Sequence, residues 1–176
     1  METSKEIVSR SPAQGITAVS PAKGITVGSQ APDFSLMDFQ DKPFKLSGFE
    51  GKKSVLLVFL RGFACKQSQW HLDGLKEDYK KFQEMNAEVA AIGQHSKIEF
   101  RNMWKVLDLP FLGLPDEKEK VAKLYKQQVI FEKRGRLPAL FLVDKHGSIA
   151  FAHYCSNMYD IPANDKLLQA LGQRKG

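Results

Sequence analysis

The chain has 176 residues, 43% hydrophobic and 26% charged, which fits one soluble globular domain with a full core. No apolar run approaches the roughly 20 residues needed to cross a bilayer. The N-terminus lacks the apolar stretch of a secretory signal; its Ser-rich, acid-poor composition leaves an organelle-transit segment as an alternative.

The net charge of +6 comes from scattered lysines, and the densest cluster, EKRGR at 132–136, is short and contains an acid. That pattern reads as a solvated basic surface rather than a nucleic-acid footprint. Two cysteines far apart in sequence are not a disulfide framework, and a reducing, cytoplasmic compartment is the simpler expectation.

Residues 11–19 (SPAQGITAV) and 20–28 (SPAKGITVG) form a tandem nine-residue repeat punctuated by proline and glycine. Two copies are too few for a solenoid. Residues 1–27 therefore read as an arm, loose or laid as a short hairpin on the domain edge, and residues 28–176 as the domain. APDFSLMDFQDKPFKLSGFEGKK predicts two short strands around a polar turn at 41–43, then a Gly-rich connector. SVLLVFL (54–60) is apolar at nearly every position and suits a central parallel strand buried on both faces. After Cys65, the residues Leu72, Leu75, Tyr79 and Phe82 recur with helical spacing among charges, an amphipathic helix. AEVAAIG (87–93) is a second buried strand. SKIEFRNMWKVLDL (96–109) predicts a helix capped by Ser96, with Glu99 completing a capping box, Met103, Trp104 and Leu107 in the core, and Pro110 as the stop.

FLGLPD reads as a short extended piece and EKEKVAKLYKQQ (117–128) as a further helix. PALFLVD and SIAFAHY flank a turn at Lys145, His146 and Gly147, a hairpin signal. ANDKLLQALG closes the chain as a helix ending near Gly172. Strand, helix, strand requires a right-handed parallel crossover, and the hairpin adds antiparallel strands to the same sheet. The expected fold is a three-layer α/β/α domain with a mixed central sheet.

In such a sheet, ligands bind in the crevice beyond the carboxyl ends of the parallel strands. Cys65 lies just past one such end, at or near a helix start, where unpaired N–H groups and the helix dipole favour thiolate over thiol. Arg61 and Lys66 can add to that. Free cysteine is also among the most buried residue types, so a small apolar filler is the competing reading. Pro138 opens the strand PALFLVD, where proline is tolerated, and is on its own only a mark of loop-to-strand punctuation. If that strand runs antiparallel to the Cys65 strand, its partner ends near Tyr154 at the same edge. Cys65, Pro138 and Cys155 then converge, and Cys155 is a candidate resolving thiol; otherwise it is an incidental loop cysteine. The histidines have no metal-ligand spacing: His71 falls on the helix, His146 in a turn and His153 on the hairpin. His95 follows the second strand and either lines the site or is a solvated loop residue. No metal or other cofactor is expected.

A cysteine at a helix start after VLLVFLRGFA, a proline before ALFLVDKHGSIAF, and the opening GSQAPDFSL together resemble the peroxiredoxin-like branch of the thioredoxin fold, the alkyl hydroperoxide reductase and thiol-specific antioxidant superfamily. The resemblance runs from Gly28 to Gly172 and leaves out the repeat; IGQHS and HYCSNMYDIPANDKLLQAL resemble a subgroup of it. It implies a thioredoxin-like sheet of about five strands, with Pro138 in the place of the cis-proline that faces the site. Cys65 falls at the first cysteine of a CxxC motif and equally at the peroxidatic position. A peroxidatic thiolate attacks the peroxide O–O bond and becomes sulfenic acid. A second thiol condenses with it to a disulfide, which a thioredoxin- or glutathione-type reductant opens. The implied substrate is a peroxide or a disulfide, without nucleic-acid or membrane partners, and homodimerisation is left open.

The sequence departs from the family at several site positions. Gly62 stands where a threonine is usual, Val58 where a proline is, and Pro138 where an arginine is, with Arg136 or Arg61 as candidate replacements. Ser68 replaces the second cysteine of the dithiol; it can donate a hydrogen bond to a thiolate but cannot resolve a disulfide. Three functions follow: a thiol peroxidase using Cys65, a one-cysteine thioredoxin-like disulfide or glutathione oxidoreductase, and a non-catalytic binding module.

Overall fold

Strand β3 (Ser54–Phe59) takes the centre of the sheet because every residue from Val55 to Phe59 is buried. Side chains alternate across a strand, so Leu56 and Val58 enter one apolar layer and Val55, Leu57 and Phe59 the other. The computed structural model describes residues 24–130 and 135–173. On one side β3 pairs in parallel with β4 (Ala87–Gly93), which pairs in parallel with β5 (Leu112–Pro115). On the other it pairs antiparallel with β8 (Ala139–Val143), which pairs antiparallel with β9 (Ile149–Tyr154). The order β5-β4-β3-β8-β9 is the mixed sheet expected from the element order, with the five strands that the family resemblance implied.

One face is covered by α1 (Lys66–Glu84), α2 (Lys97–Leu107) and α4 (Asn164–Gly172), through Leu72, Leu75, Phe82, Phe100, Trp104 and Leu167. Met103 and Leu107 pack against this layer, as expected. The opposite face is covered by α3 (Lys120–Leu124), a 3₁₀ turn at Leu46–Phe49, and a hairpin of β1 (Ser35–Met37) with β2 (Pro43–Lys45). Each fully buried aliphatic or aromatic side chain contributes about 1.5–3 kcal/mol relative to exposure.

Local chemistry sets the element ends. The Ser96 hydroxyl and the Glu99 carboxylate form the reciprocal capping box that starts α2. The helix ends earlier than Pro110, because Asp108 turns into the left-handed region (φ 51°) and Leu109 N–H closes onto Trp104 O at 3.0 Å. Helix α3 is much shorter than the 117–128 expected. The Asp116 carboxylate accepts N–H bonds from Lys120, Val121 and Ala122 at 2.9, 3.0 and 2.8 Å, which fixes its start. Lys126, at φ 56°, breaks the helical path just beyond it. The ribbon of β6 (Val129–Ile130) with β7 (Gly135–Arg136) was not foreseen; two-residue strands carry no readable alternation.

The repeat lies outside the described residues except for 24–28, where Ile25 N–H donates to the Tyr154 hydroxyl at 2.8 Å and Gly28 N–H to Ile149 O at 2.8 Å. Most of the 132–136 cluster is likewise outside them. Among the described residues, no helix is long and apolar enough to cross a membrane.

His71 on α1 has its Nε2 buried without a hydrogen-bond partner among the described residues, and burial holds its pKa down at about 4, from an ordinary 6.5. A depressed base binds fewer protons in the folded than in the unfolded state. Its contribution is therefore fully present above pH 6.5 and lost as pH falls toward 4, by up to about 3 kcal/mol. Urea midpoints at neutral pH and at about pH 4.5 should diverge, and His71→Leu should flatten that slope. An equally steep slope in the variant would assign the acid sensitivity elsewhere.

Candidate functional site

The carboxyl end of β3, the start of β8 and the end of β9 meet at one edge of the sheet. Phe59 pairs with Ala139, and Ala139 with Tyr154. Cys155 N–H then donates to Pro138 O at 3.0 Å. The antiparallel arrangement on which the convergence of Cys65, Pro138 and Cys155 depended is the one present.

Cys65 is the N-cap residue of α1, extended at φ −86° and ψ 116°, and only partly buried. Its thiol donates to Gln67 Oε1 at 3.3 Å, and Arg61 Nη1 approaches the sulfur at 3.7 Å. Burial alone would raise the thiol pKa. The Ser68 N–H and hydroxyl, the Arg61 guanidinium and the Gln67 N–H outweigh it and hold the group below its ordinary value. Ser68 is 3% exposed, so the serine at the second dithiol position is an interior donor to the sulfur.

The two candidate arginines differ sharply. Arg61 lies between sulfurs, 3.5 Å from Met158 Sδ as well as near Cys65. Gly135 leaves it room, since a Cβ there would stand 3.0 Å from Arg61 Nε. Arg136 is buried and ion-paired with Glu119; it borders a small cleft of about 50 Å³ that it shares with Arg61, Leu137 and Met158. Pro138 does not have the cis bond that the family resemblance implied: no cis peptide occurs among the described residues. The adjoining chain is held extended, with Leu137 N–H on Gln128 O at 2.9 Å and Leu137 O accepting from Gln127 Nε2 at 3.0 Å.

Cys155 shares the edge but not the exposure. It is 0% exposed within the α1–α4 layer, and burial, reinforced by the Asp160 charge, pushes its thiol up to about 12. The loop after it is closed by Asp160, whose carboxylate accepts from Ser156 N–H and Ser156 hydroxyl, both at 2.9 Å.

His95 is not a solvated loop residue. Its Nε2 accepts the Phe63 N–H at 3.0 Å, its Nδ1 faces Glu99 Oε1 at 3.2 Å, and its ring stacks on Phe63 with centroids 4.1 Å apart. Gln69 Nε2 donates to Phe63 O at 2.6 Å. Gly62 has φ 155°, and a Cβ there would stand 3.3 Å from His95 Nε2, so the position lacking the family threonine is one where a side chain has little space. No role was assigned to Gln67, Gln69 or Phe63 from sequence; the polar run after Cys65 was the only signal for the two glutamines, and Phe63 carried none.

Arg61, Gly62, Phe63, Ala64, Cys65 and His95 border an open cleft of about 310 Å³. A larger concavity, about 460 Å³, lies at the opposite end of the sheet around Ser54, Asp144 and Gln173, away from both cysteines. Among the described residues, no group of His, Cys, Asp or Glu is arranged to hold a metal ion.

Fold and cysteine placement define a class: thioredoxin-like α/β proteins that carry a cysteine at the first turn of the helix following a central strand. Residues 27–152 match the AhpC/TSA family, and the chain belongs to that family. Peroxiredoxin Q of the chloroplast of Sedum lineare is 31% identical over 150 residues, which is 82% of this chain and 78% of that protein. The thiol-disulfide oxidoreductase ResA of Bacillus cereus is 31% identical over 123 residues, 69% of this chain but 66% of that relative's length. Among solved structures, peroxidoxin BcpB from Mycobacterium tuberculosis shares the fold at a TM-score of 0.77 and 19% identity, covering 86% of this chain and 99% of that one.

Proposed function

We propose that this protein is a thiol-dependent antioxidant peroxidase in which Cys65 is the nucleophile. The observation that carries the reading is the Cys65 environment: a sulfur at a helix start, beside Arg61 and Ser68, opening on a cleft, with its pKa lowered. The Cys65 thiolate attacks the peroxide O–O bond and keeps one oxygen as sulfenic acid; the other oxygen takes a proton and leaves as water or an alcohol. Arg61 is within reach to donate to the peroxide oxygens, whereas Arg136 is engaged with Glu119. Similarity to peroxiredoxin Q supports this chemistry.

Resolution is a separate step. Ser68 cannot form a disulfide, and Cys155 is fully buried with its N–H tied to Pro138 O. In the native arrangement, a thioredoxin- or glutathione-type thiol condenses with the sulfenic acid, releasing water, and a second such thiol frees Cys65. Two free cysteines suit a reducing, cytoplasmic setting.

A second reading, a one-cysteine disulfide oxidoreductase, is favoured by the single accessible thiol and by similarity to ResA. Mass spectrometry after one equivalent of hydrogen peroxide separates the two. The peroxidase reading expects oxidation at Cys65, trapped as sulfenic acid or as a mixed disulfide with added thiol, and little Cys65–Cys155 disulfide. A Cys65 that stays reduced with peroxide yet exchanges with glutathione disulfide would select the second reading.

A further inference from the structure

We infer that His95 is a positioning residue for Cys65, holding the loop that carries the thiol through the Phe63 amide. The inference rests on the reading of Cys65 as the reacting group, but its test needs no turnover. Phe63, two residues before Cys65, is held from both sides: its N–H donates to His95 Nε2 at 3.0 Å, and its carbonyl accepts from Gln69 Nε2 at 2.6 Å. A ring nitrogen that accepts carries no proton, so the single hydrogen of the neutral imidazole is on Nδ1, where it donates to Glu99 Oε1 at 3.2 Å.

Glu99 is itself fixed. Its other oxygen accepts from the Ser96 N–H and the Ser96 hydroxyl, both at 2.8 Å, in the box that starts α2. The imidazole lies nearly flat on the Phe63 ring, 11° from parallel. Position 62 completes the arrangement, since a Cβ there would come within 3.3 Å of Nε2, the atom that receives the Phe63 N–H. Cys65 N–H closes the loop onto Gly62 O at 3.3 Å. A rigid path thus runs from the start of α2 through Glu99 and His95 into the turn that sets Cys65 at the start of α1. The N–H groups of that first turn lower the thiol pKa only while the sulfur is held against them, so a loop fixed in advance supplies reactivity that a loose one lacks.

Two variants separate the acceptor from the ring. His95→Phe keeps a flat ring against Phe63 and removes the acceptor; His95→Gln removes the ring and offers a carbonyl oxygen near the Nε2 position. Iodoacetamide labelling of Cys65, localised by mass spectrometry and followed from pH 5 to 10, gives the profile of each. His95→Phe is expected to react about tenfold more slowly at pH 7, with its midpoint moved upward, and His95→Gln to stay within about twofold of the parent.

Superimposable profiles for the parent and His95→Phe overturn the inference. So does a His95→Gln variant that melts like the parent yet reacts as slowly as His95→Phe. Imidazole ¹⁵N shifts of the unaltered protein give a check that depends on neither variant folding: the Nδ1–H tautomer is expected at neutral pH, and the Nε2–H tautomer removes the basis of the inference. A protein with these profiles that ignores peroxide would keep this role for His95 and overturn the peroxidase reading.

Discussion

Cys65→Ser is expected to cut peroxide consumption, assayed with dithiothreitol as reductant, by at least about a thousandfold. A serine hydroxyl is uncharged at neutral pH, whereas the thiol is held toward its anion by the Ser68 N–H and hydroxyl, Arg61 and the Gln67 N–H. The same variant should melt close to the parent, because the side chain is only partly buried and its polar contacts, at 3.3 and 3.7 Å, are weak. Activity within tenfold of the parent would remove Cys65 from the mechanism. Loss of both activity and fold would leave the role of the sulfur to its alkylation profile, which must then show a midpoint below that of a free thiol.

The largest expected stability loss is at Phe141, on β8. This side chain is fully buried, and its ring meets those of Phe59 at 5.7 Å, Tyr125 at 5.2 Å and Tyr154 at 5.2 Å. It joins two sheet strands to the helix end that covers them, so truncation leaves a space that three large rings cannot fill without leaving their own contacts. Phe141→Ala should cost about 4 kcal/mol and lower the melting temperature by about 10 °C. Phe141→Leu, which keeps most of the volume, should cost less than half as much. A loss below about 2 kcal/mol for the alanine variant would mean that the layer collapses onto the gap more readily than close-packed rings allow.

Much of this architecture was legible because the signals were local. The unbroken apolar run of β3, the helical spacing after Cys65 and the Ser96–Glu99 box each lie within a few residues. That Cys65, Pro138 and Cys155 fall at one edge of the sheet could be read only conditionally, because it depended on the strand direction that the pairing of β3 with β8 gives. The roles around the cysteine were harder. His95 is 32 residues from the Phe63 amide that it accepts. Nothing in IGQHS distinguishes that histidine from a solvated one until the parallel register of β3 with β4 brings their ends together. Arg136 was the candidate catalytic arginine and Arg61 a site-lining one; the Glu119 ion pair of Arg136 and the approach of Arg61 to the Cys65 sulfur favour the reverse, and the ion pair depends on where α3 starts. The cis-proline was carried by resemblance alone, with no residue pattern behind it.

Cys155 has a consequence that goes beyond catalysis. Its sulfur is sealed in the apolar layer, its thiol is held at about 12, and its N–H is tied to Pro138 O. Reagents and oxidants in solution therefore meet it only in molecules whose sheet edge has come apart. Two thiols on one chain thus keep different clocks. If Cys65 reacts as proposed, it registers the chemistry of the surroundings, whereas Cys155 is expected to register how often the protein opens, so a molecule modified at the second site would carry a lasting mark of a past excursion from the folded state.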